Sequence, residues 1–284
     1  MKITWIGTGI MGSHMALHLA NNNYDVTAYN RTIEKANKLK PKVKVKNNIK
    51  EAVFNADVIF TMLGYPNDVK TVIKEVFKHA KKGAIIIDMT TSDPNLAISL
   101  FNEGLKQGFD LLDAPVTGSD TYAKAGTLSI MVGGKEEIFQ KVLPLLEAFG
   151  KTITYVGKSG NGQLAKLSNQ IAIAGTLSGV VESLYFASKN NLDLKLVHQI
   201  LSGGSAYSNQ LSINGLKIIE KDLKPGFYVK HFLKDLNLAI SINKDLLILN
   251  QVKDMIQSLV DNGHENLGTQ SLILYYLDSL IKNN

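Results

Sequence analysis

The 284-residue chain contains no cysteine. That excludes disulfides, thiolate nucleophiles and Cys-ligated metal centres, and leads us to expect a reducing, cytoplasmic setting. The opening MKITWIGTGIMG lacks the basic n-region, apolar h-region and cleavage site of a secretory leader. No apolar run reads as both long enough and uncharged enough to span a bilayer, so no membrane partner is expected. Acidic charge is in deficit: 25 Asp and Glu stand against 31 Lys and Arg, a net charge of +6. The lysines are scattered, with short clusters such as Lys40 to Lys46, and aromatics do not interleave with them. Such a surface suits a small anionic ligand and not nucleic acid. Metal-ligand sets are also lacking. His14 and His18 have a metal-capable spacing on one helix, but no third ligand joins them, and catalytic zinc typically needs three.

What is present begins at the first residues. Residues 3–6 (ITWI) read as a strand, followed by Gly7-Thr8-Gly9-Ile10-Met11-Gly12, a helix over 13–23 and a second strand from Tyr24 to Tyr29. Strand, G-x-G-x-x-G, helix and strand in this order form a dinucleotide fingerprint. Gly7 permits the tight turn, Gly9 lets the backbone approach a pyrophosphate, and Gly12 lets helix and strand pack closely. The helix N-terminus, with Ile10 and Met11 in its first turn, offers N–H groups to the phosphates. At the end of the second strand an NAD-preferring site carries Asp or Glu for the ribose. This chain has Asn30-Arg31-Thr32 there. Asn30 cannot repel a 2′-phosphate, Arg31 can pair with it, and Thr32 offers a hydroxyl and a cap for the next helix. NADP(H) is expected over NAD(H), with NAD(H) possible.

Alternation continues through strands at 43–45, 57–63, 84–88, 109–113, 128–132 and 152–156. Helices are expected at 48–55, 67–78, from Pro94, and at 135–149. Met62 and Leu63 end one strand and Thr91 follows another, at the carboxyl ends where open α/β sheets bind ligands. Residues 158–162 read as a short connection. Beyond Leu164 only helices are expected: a long first one, then 193–201, 208–220, 231–246, 249–262 and 271–282. The expectation is an α/β Rossmann domain with a doubly wound, mostly parallel sheet over residues 1–160. An all-α domain for substrate binding and oligomerisation follows over 161–284.

The stretch Ser159 to Asn191 organises the chain. It opens with Gly160-Asn161-Gly162 and runs on without proline and with little charge. A helix apolar nearly all round is buried or shared between packed bodies. Lys166 stands in its first turns. Burial disfavours an ammonium, so a lysine there either snorkels at the rim or has a chemical task.

Three further motifs converge on the second reading: Asp113-Ala-Pro-Val-Thr-Gly-Ser119 with Ala125 to Gly134; Gly160-Asn-Gly-Gln-Leu-Ala-Lys-Leu-Ser-Asn-Gln170; and Lys224-Pro-Gly-Phe227 with Lys234-Asp-Leu-Asn-Leu-Ala239. With the N-terminal glycine motif, in this order, the chain resembles the β-hydroxyacid dehydrogenases. That is the family of 3-hydroxyisobutyrate dehydrogenase and tartronate semialdehyde (2-hydroxy-3-oxopropionate) reductase. The resemblance runs to Leu267-Gly-Thr. It implies Lys166 as the catalytic lysine, and Thr117, Gly118 and Ser119 as the binding site for the substrate carboxylate. It implies cofactor contacts at Thr91 and Lys234. It places Asn169, Gln170, Phe227 and Asp235 around the substrate. It also implies an active site in the cleft between two domains, and a homodimer or homotetramer. Thr117 and Ser119 are bulkier than the usual Ser and Gly, and Gln170 replaces the second Asn of an Asn-Asn pair.

Physical chemistry agrees with these roles. Hydride transfer to an aldehyde builds alkoxide charge, which a placed ammonium stabilises and protonates. The substrate implied is a small β-hydroxy acid carrying a carboxylate. Two alternatives share the architecture: an imine reductase, which typically lacks this lysine, and a non-catalytic NADP-binding scaffold. Plainer roles are expected for His231 and Tyr122 (packing or pocket rim), Asp113 (turn former) and Glu182 (structural partner at the domain junction).

Overall fold

The computed structural model describes residues 1–282. It divides into two compact units, 1–166 and 167 onward. In the first, among the described residues, nine strands form one sheet. They are β1 (Lys2–Ile6), β2 (Asp25–Tyr29), β3 (Lys44–Val45), β4 (Val58–Thr61), β5 (Ile85–Asp88), β6 (Asp110–Asp113), β7 (Val116–Thr117), β8 (Leu128–Gly134) and β9 (Gly150–Tyr155). Their order is β3-β2-β1-β4-β5-β6-β8-β7, with β9 beside β8. Strands β1 to β6 are parallel, and β8 is antiparallel to β6 and β7. The helices are α1 (Ile10–Asn21), α2 (Ile33–Asn37), α3 (Ile49–Val53), α4 (Pro66–His79), α5 (Pro94–Lys106), α6 (Asp120–Ala125) and α7 (Glu136–Leu146).

The central strands of the sheet are buried on both faces, and the strand period shows how. Trp5, Val58, Phe60 and Leu112 share a core with Met15 and Leu19 of α1 and Val142 of α7. Their neighbours Ile6, Ile59 and Leu111 share another with Val69 and Ile73 of α4 and Leu100 of α5. Successive side chains point to opposite faces, so a doubly covered strand reads as a continuous apolar run. Strand β1 lies between β2 and β4. Sheet growth reverses there, which opens a crevice at the carboxyl ends of β1 and β4.

The second unit is helical. The boundary falls inside α8 (Asn161–Lys189), which is followed by α9 (Leu194–Ser202), α10 (Leu216–Ile219), α11 (Val229–Ile242), α12 (Leu247–Asp261) and α13 (Ile273–Lys282). Leu177, Val181 and Leu184 of α8 pack with Phe232 and Leu236 of α11 and Ile256 and Leu259 of α12.

Several expectations need correction. Asn161 and Gly162 belong to α8, not to a connection. The helix expected over 208–220 carries a π-turn at Leu211–Gly215 ahead of α10, and His198 Nε2 donates to the Leu211 carbonyl at 3.1 Å. The helix expected to reach residue 246 stops at Ile242. Helix α8 is not buried all round: Ala172, Gly175, Thr176, Gly179 and Phe186 are exposed. It is also, against the sequence reading, long and apolar enough to cross a membrane by length and composition. Its buried leucines and valines serve the core of the second unit instead.

Candidate active site

The three glycines of the first loop differ in what surrounds them. Gly7 has φ +98°, and a Cβ there would lie 2.1 Å from the Met62 carbonyl oxygen and 3.2 Å from Leu63 Cδ2. Gly12 would place a Cβ 2.1 Å from the Gly7 carbonyl oxygen and 2.9 Å from Trp5 Nε1. At Gly9 a Cβ would meet nothing within 4 Å. Two glycines are therefore required by the fold, and the third keeps open ground before α1. The first turn of α1 carries no acidic side chain, so the positive end of the helix dipole stands uncompensated. Ile10 is half exposed there, and Met11 packs on the core. This cradle fits a dinucleotide pyrophosphate.

Asn30 braces the loop. Its Oδ1 accepts from the Thr8 N–H at 2.9 Å, and its Nδ2 donates to the Thr32 carbonyl at 2.9 Å. Thr32 occupies the N-cap position of α2, but its side chain makes no capping bond, which corrects that expectation. Arg31 is the single arginine among the 31 basic side chains. It is 88% exposed, with Asp68 of α4 at 3.5 Å.

Behind the crevice runs a buried polar network that the sequence did not reveal. Asp88 and Asp113 end β5 and β6 in register. Asp88 Oδ1 accepts from Thr61 Oγ1 at 2.7 Å and from the Thr90 N–H at 3.1 Å. Thr90 Oγ1 accepts from the Leu63 N–H at 2.9 Å. Gln163 Nε2 donates to the Thr90 carbonyl, and its Oε1 accepts from the Ser92 N–H, both at 2.8 Å. Asp113 accepts from Gly160 N–H at 2.8 Å and Gln163 N–H at 3.0 Å. It is no turn former: it caps α8 from a distant strand. Burial pushes both carboxyls up to about 6, against the pull of their hydrogen bonds.

The loop Thr117-Gly118-Ser119 links β7 to α6. Gly118 has φ +128°, with Tyr122 Cβ and Leu128 Cδ2 each 2.9 Å from a would-be Cβ. Ser119 stands at the N-cap of α6, and its hydroxyl forms no capping bond. His18 Nε2 donates to the Ala123 and Lys124 carbonyls at 3.1 and 3.0 Å, which fastens α6 to α1.

Lys166 is 6% exposed on α8. Gln170 lies one turn further along the same helical side. Its Nε2 donates to Asp235 Oδ2 of α11 at 2.6 Å, and its Oε1 accepts from Asn169 Nδ2 at 3.0 Å. Lys234 Nζ is 3.0 Å from Asp235 Oδ1. The two are within ion-pair distance, and among the described residues no donor meets Oδ1 in hydrogen-bond geometry. Asn169, Gln170, Lys234 and Asp235 thus form one cluster. Phe227 sits edge-on to Phe232, with ring centroids 5.9 Å apart. Burial, then Lys234 and Lys230, hold the His231 imidazole below its usual range and hence neutral at neutral pH. Thr91 is half-buried on the loop after β5. Glu182 hydrogen-bonds Tyr276 within the second unit.

Gln163 lies within a motif the sequence reading quotes, yet it carried no signal of its own. Its partners are 71 and 73 residues away. The solitary status of Arg31 was readable from composition.

Comparison with known proteins follows the same division. A family model described as the NAD binding domain of 6-phosphogluconate dehydrogenase matches residues 2–157. One described as NAD-binding of NADP-dependent 3-hydroxyisobutyrate dehydrogenase matches residues 160–276. A probable 3-hydroxyisobutyrate dehydrogenase-like protein of Arabidopsis thaliana is 40% identical, covering 96% of this chain and 84% of the relative. The 2-hydroxy-3-oxopropionate reductase of Escherichia coli is 37% identical, covering 95% and 94%. The structure of Mycobacterium tuberculosis 3-hydroxyisobutyrate dehydrogenase with L-serine superposes with a TM-score of 0.87 at 26% identity, covering 96% of this chain and 97% of that one. The chain belongs to the β-hydroxyacid dehydrogenase family and is an NAD(P)-dependent hydroxyacid dehydrogenase.

Proposed function

We propose that the enzyme interconverts a small β-hydroxy acid and its aldehyde acid, prefers NADP(H), and uses Lys166 as general acid and base. The observation that carries this is the nearly buried Lys166, set just past an α8 start that Asp113 and Gln163 hold in place. When bound, the nicotinamide supplies the hydride. In the reductive direction the Lys166 ammonium stabilises the developing alkoxide and delivers a proton to its oxygen. In the oxidative direction the neutral amine takes the hydroxyl proton. Such catalysis is worth roughly 10²–10⁴-fold. Backbone N–H groups of the Thr117-Gly118-Ser119 loop anchor the substrate carboxylate. Gln170, held by Asp235, and Asn169, which donates to Gln170, orient the substrate hydroxyl side.

Cofactor preference rests on Arg31. It is highly exposed beyond the end of β2, where the strand itself supplies no acidic side chain for the ribose and Arg31 can exchange its partner Asp68 for a 2′-phosphate, and Asn30 is occupied by the glycine loop. The relative bound to L-serine, itself a β-hydroxy acid, supports the substrate class. Candidate carbonyl partners are methylmalonate semialdehyde and tartronate semialdehyde, whose reduction gives β-hydroxy acids, and next to them glyoxylate and succinate semialdehyde, which give an α- and a γ-hydroxy acid. Exposed Phe186, Leu192, Leu196 and Ile200 support association of copies into a homodimer or homotetramer. Against an imine reductase stands Lys166 itself, which that chemistry typically replaces.

The test is initial-rate oxidation of NADPH and of NADH with the four carbonyl acids. Turnover on at least one, favouring NADPH, is expected. Lys166→Ala should lose at least about 10²-fold in kcat, and Arg31→Ala should weaken NADPH but not NADH. A clear NADH preference would sink the role of Arg31. An active Lys166→Ala would sink the role of the lysine.

A further inference from the structure

Gln163 joins two parts of the site that the sequence motifs treat separately. It is fully buried and stands three residues before Lys166, on the same side of α8. Its carboxamide donates to the carbonyl of Thr90 and accepts from the N–H of Ser92. Those two backbone groups flank Thr91, the residue assigned to the cofactor. Thr90 Oγ1 also accepts from the Leu63 N–H, so the loop after β5 that the amide holds is itself tied to the end of β4. On its other side, the Gln163 backbone is fixed by Asp113. Burying a carboxamide is costly unless both ends are bonded. Here both ends are bonded with opposite polarity, which sets orientation as well as distance. A core-filling Leu or Met would satisfy packing but not this.

We infer that Gln163 is a positioning residue for the reaction. It locks the first turns of α8 to the Thr91 loop and so fixes the approach of the Lys166 ammonium to the reacting carbonyl. A misplacement of about 1 Å costs on the order of 10²-fold in such geometry. The inference rests on the reading of Lys166 as acid and base.

Gln163→Met keeps length and bulk and removes both bonds. Gln163→Glu keeps the acceptor for Ser92 and, assayed at a pH where its buried carboxyl is ionised, replaces the donor to Thr90 by a second acceptor. Both are assayed in the full chain with NADPH and the four carbonyl acids, beside Lys166→Ala. In Gln163→Met, kcat should fall about 10- to 100-fold while the KM for NADPH changes little. The primary isotope effect from 4-deuterated NADPH should rise, because hydride transfer becomes slower than product release. Gln163→Glu should fall at least as far when ionised and recover as lower pH protonates the carboxyl and restores a donor to Thr90. A purely structural role would lower the melting temperature without moving the isotope effect. Where Gln163→Met does not fold, Gln163→Glu carries the comparison. An unchanged kcat and isotope effect in either folded variant, beside an inactive Lys166→Ala, overturns the inference and leaves the proposed function standing. An active Lys166→Ala overturns both. A second readout needs no turnover: the rate of acetic anhydride labelling of Lys166 with NADPH present, followed by peptide mass spectrometry. A change of about threefold or more in Gln163→Met supports the positioning role, and an unchanged rate refutes it.

Discussion

At the scale of single residues, the glycine loop separates what the fold needs from what the ligand needs. Gly9 has an ordinary φ of −71° and open space where a Cβ would stand. Gly9→Ala should fold with unchanged or slightly raised stability, since loss of glycine freedom stabilises by about 0.4–1 kcal/mol at compatible sites. Its methyl would enter the ground a pyrophosphate approaches, and calorimetric NADPH affinity should fall at least tenfold. Gly12→Ala should do the reverse. Its methyl would press on the Gly7 carbonyl and the Trp5 indole, an overpacking that costs about 1–3 kcal/mol or more. Equal losses of melting temperature in the two variants would refute this division. The turn at Gly7 and the close packing at Gly12 were legible from spacing alone. The bracing of the loop by Asn30 was not, because it is a side-chain-to-backbone bond closed across 22 residues.

At the scale of elements, α8 is held by an acceptor that does not belong to it. The first N–H groups of a helix have no intrahelical partner, and Asp113 on β6 takes those of Gly160 and Gln163. Asp113→Asn leaves one acceptor and turns an amine toward a donor. The expected cost is about 1–3 kcal/mol in urea unfolding at neutral pH, with faster deuterium exchange at Gly160 and Gln163. Unchanged exchange at both amides would refute the capping role. Strand and helix alternation was readable because the periods differ and glycine and proline mark the turns. The two-residue β7, the short α6 and the π-turn were not, since each is too short for a period or depends on tertiary partners. Asp113 looked like a turn former because its bonds span 47 and 50 residues. The exposed side of α8 read as buried because composition does not say which apolar side chains find neighbours.

For the molecule as a whole, the two raised carboxyls give stability an unusual pH dependence. Asp88 and Asp113 titrate at about 6 when folded, above the ordinary carboxyl value of 3.8. Between roughly pH 4 and 6 the folded chain therefore holds more protons than the unfolded one. The contribution of these groups is greatest below pH 4 and is lost as pH rises through 6. Measured by urea unfolding, wild type should gain on Asp88→Asn as pH falls from 7 to 5, by about 1 kcal/mol per unit at most. A difference flat across that window would refute the raised values. Another whole-chain property follows from Trp5, the single tryptophan. Its ring stacks on Phe60 with centroids 5.1 Å apart, and its Nε1 donates to the Gly7 carbonyl at 3.0 Å. All indole emission thus originates directly beneath the loop assigned to the cofactor. A reduced nicotinamide absorbs where indole emits, so the chain carries its own optical gauge of cofactor occupancy, needing no label. Gly9, Gln163 and Lys166 variants leave that gauge intact, whereas a Gly12 variant would alter its baseline before any ligand is added.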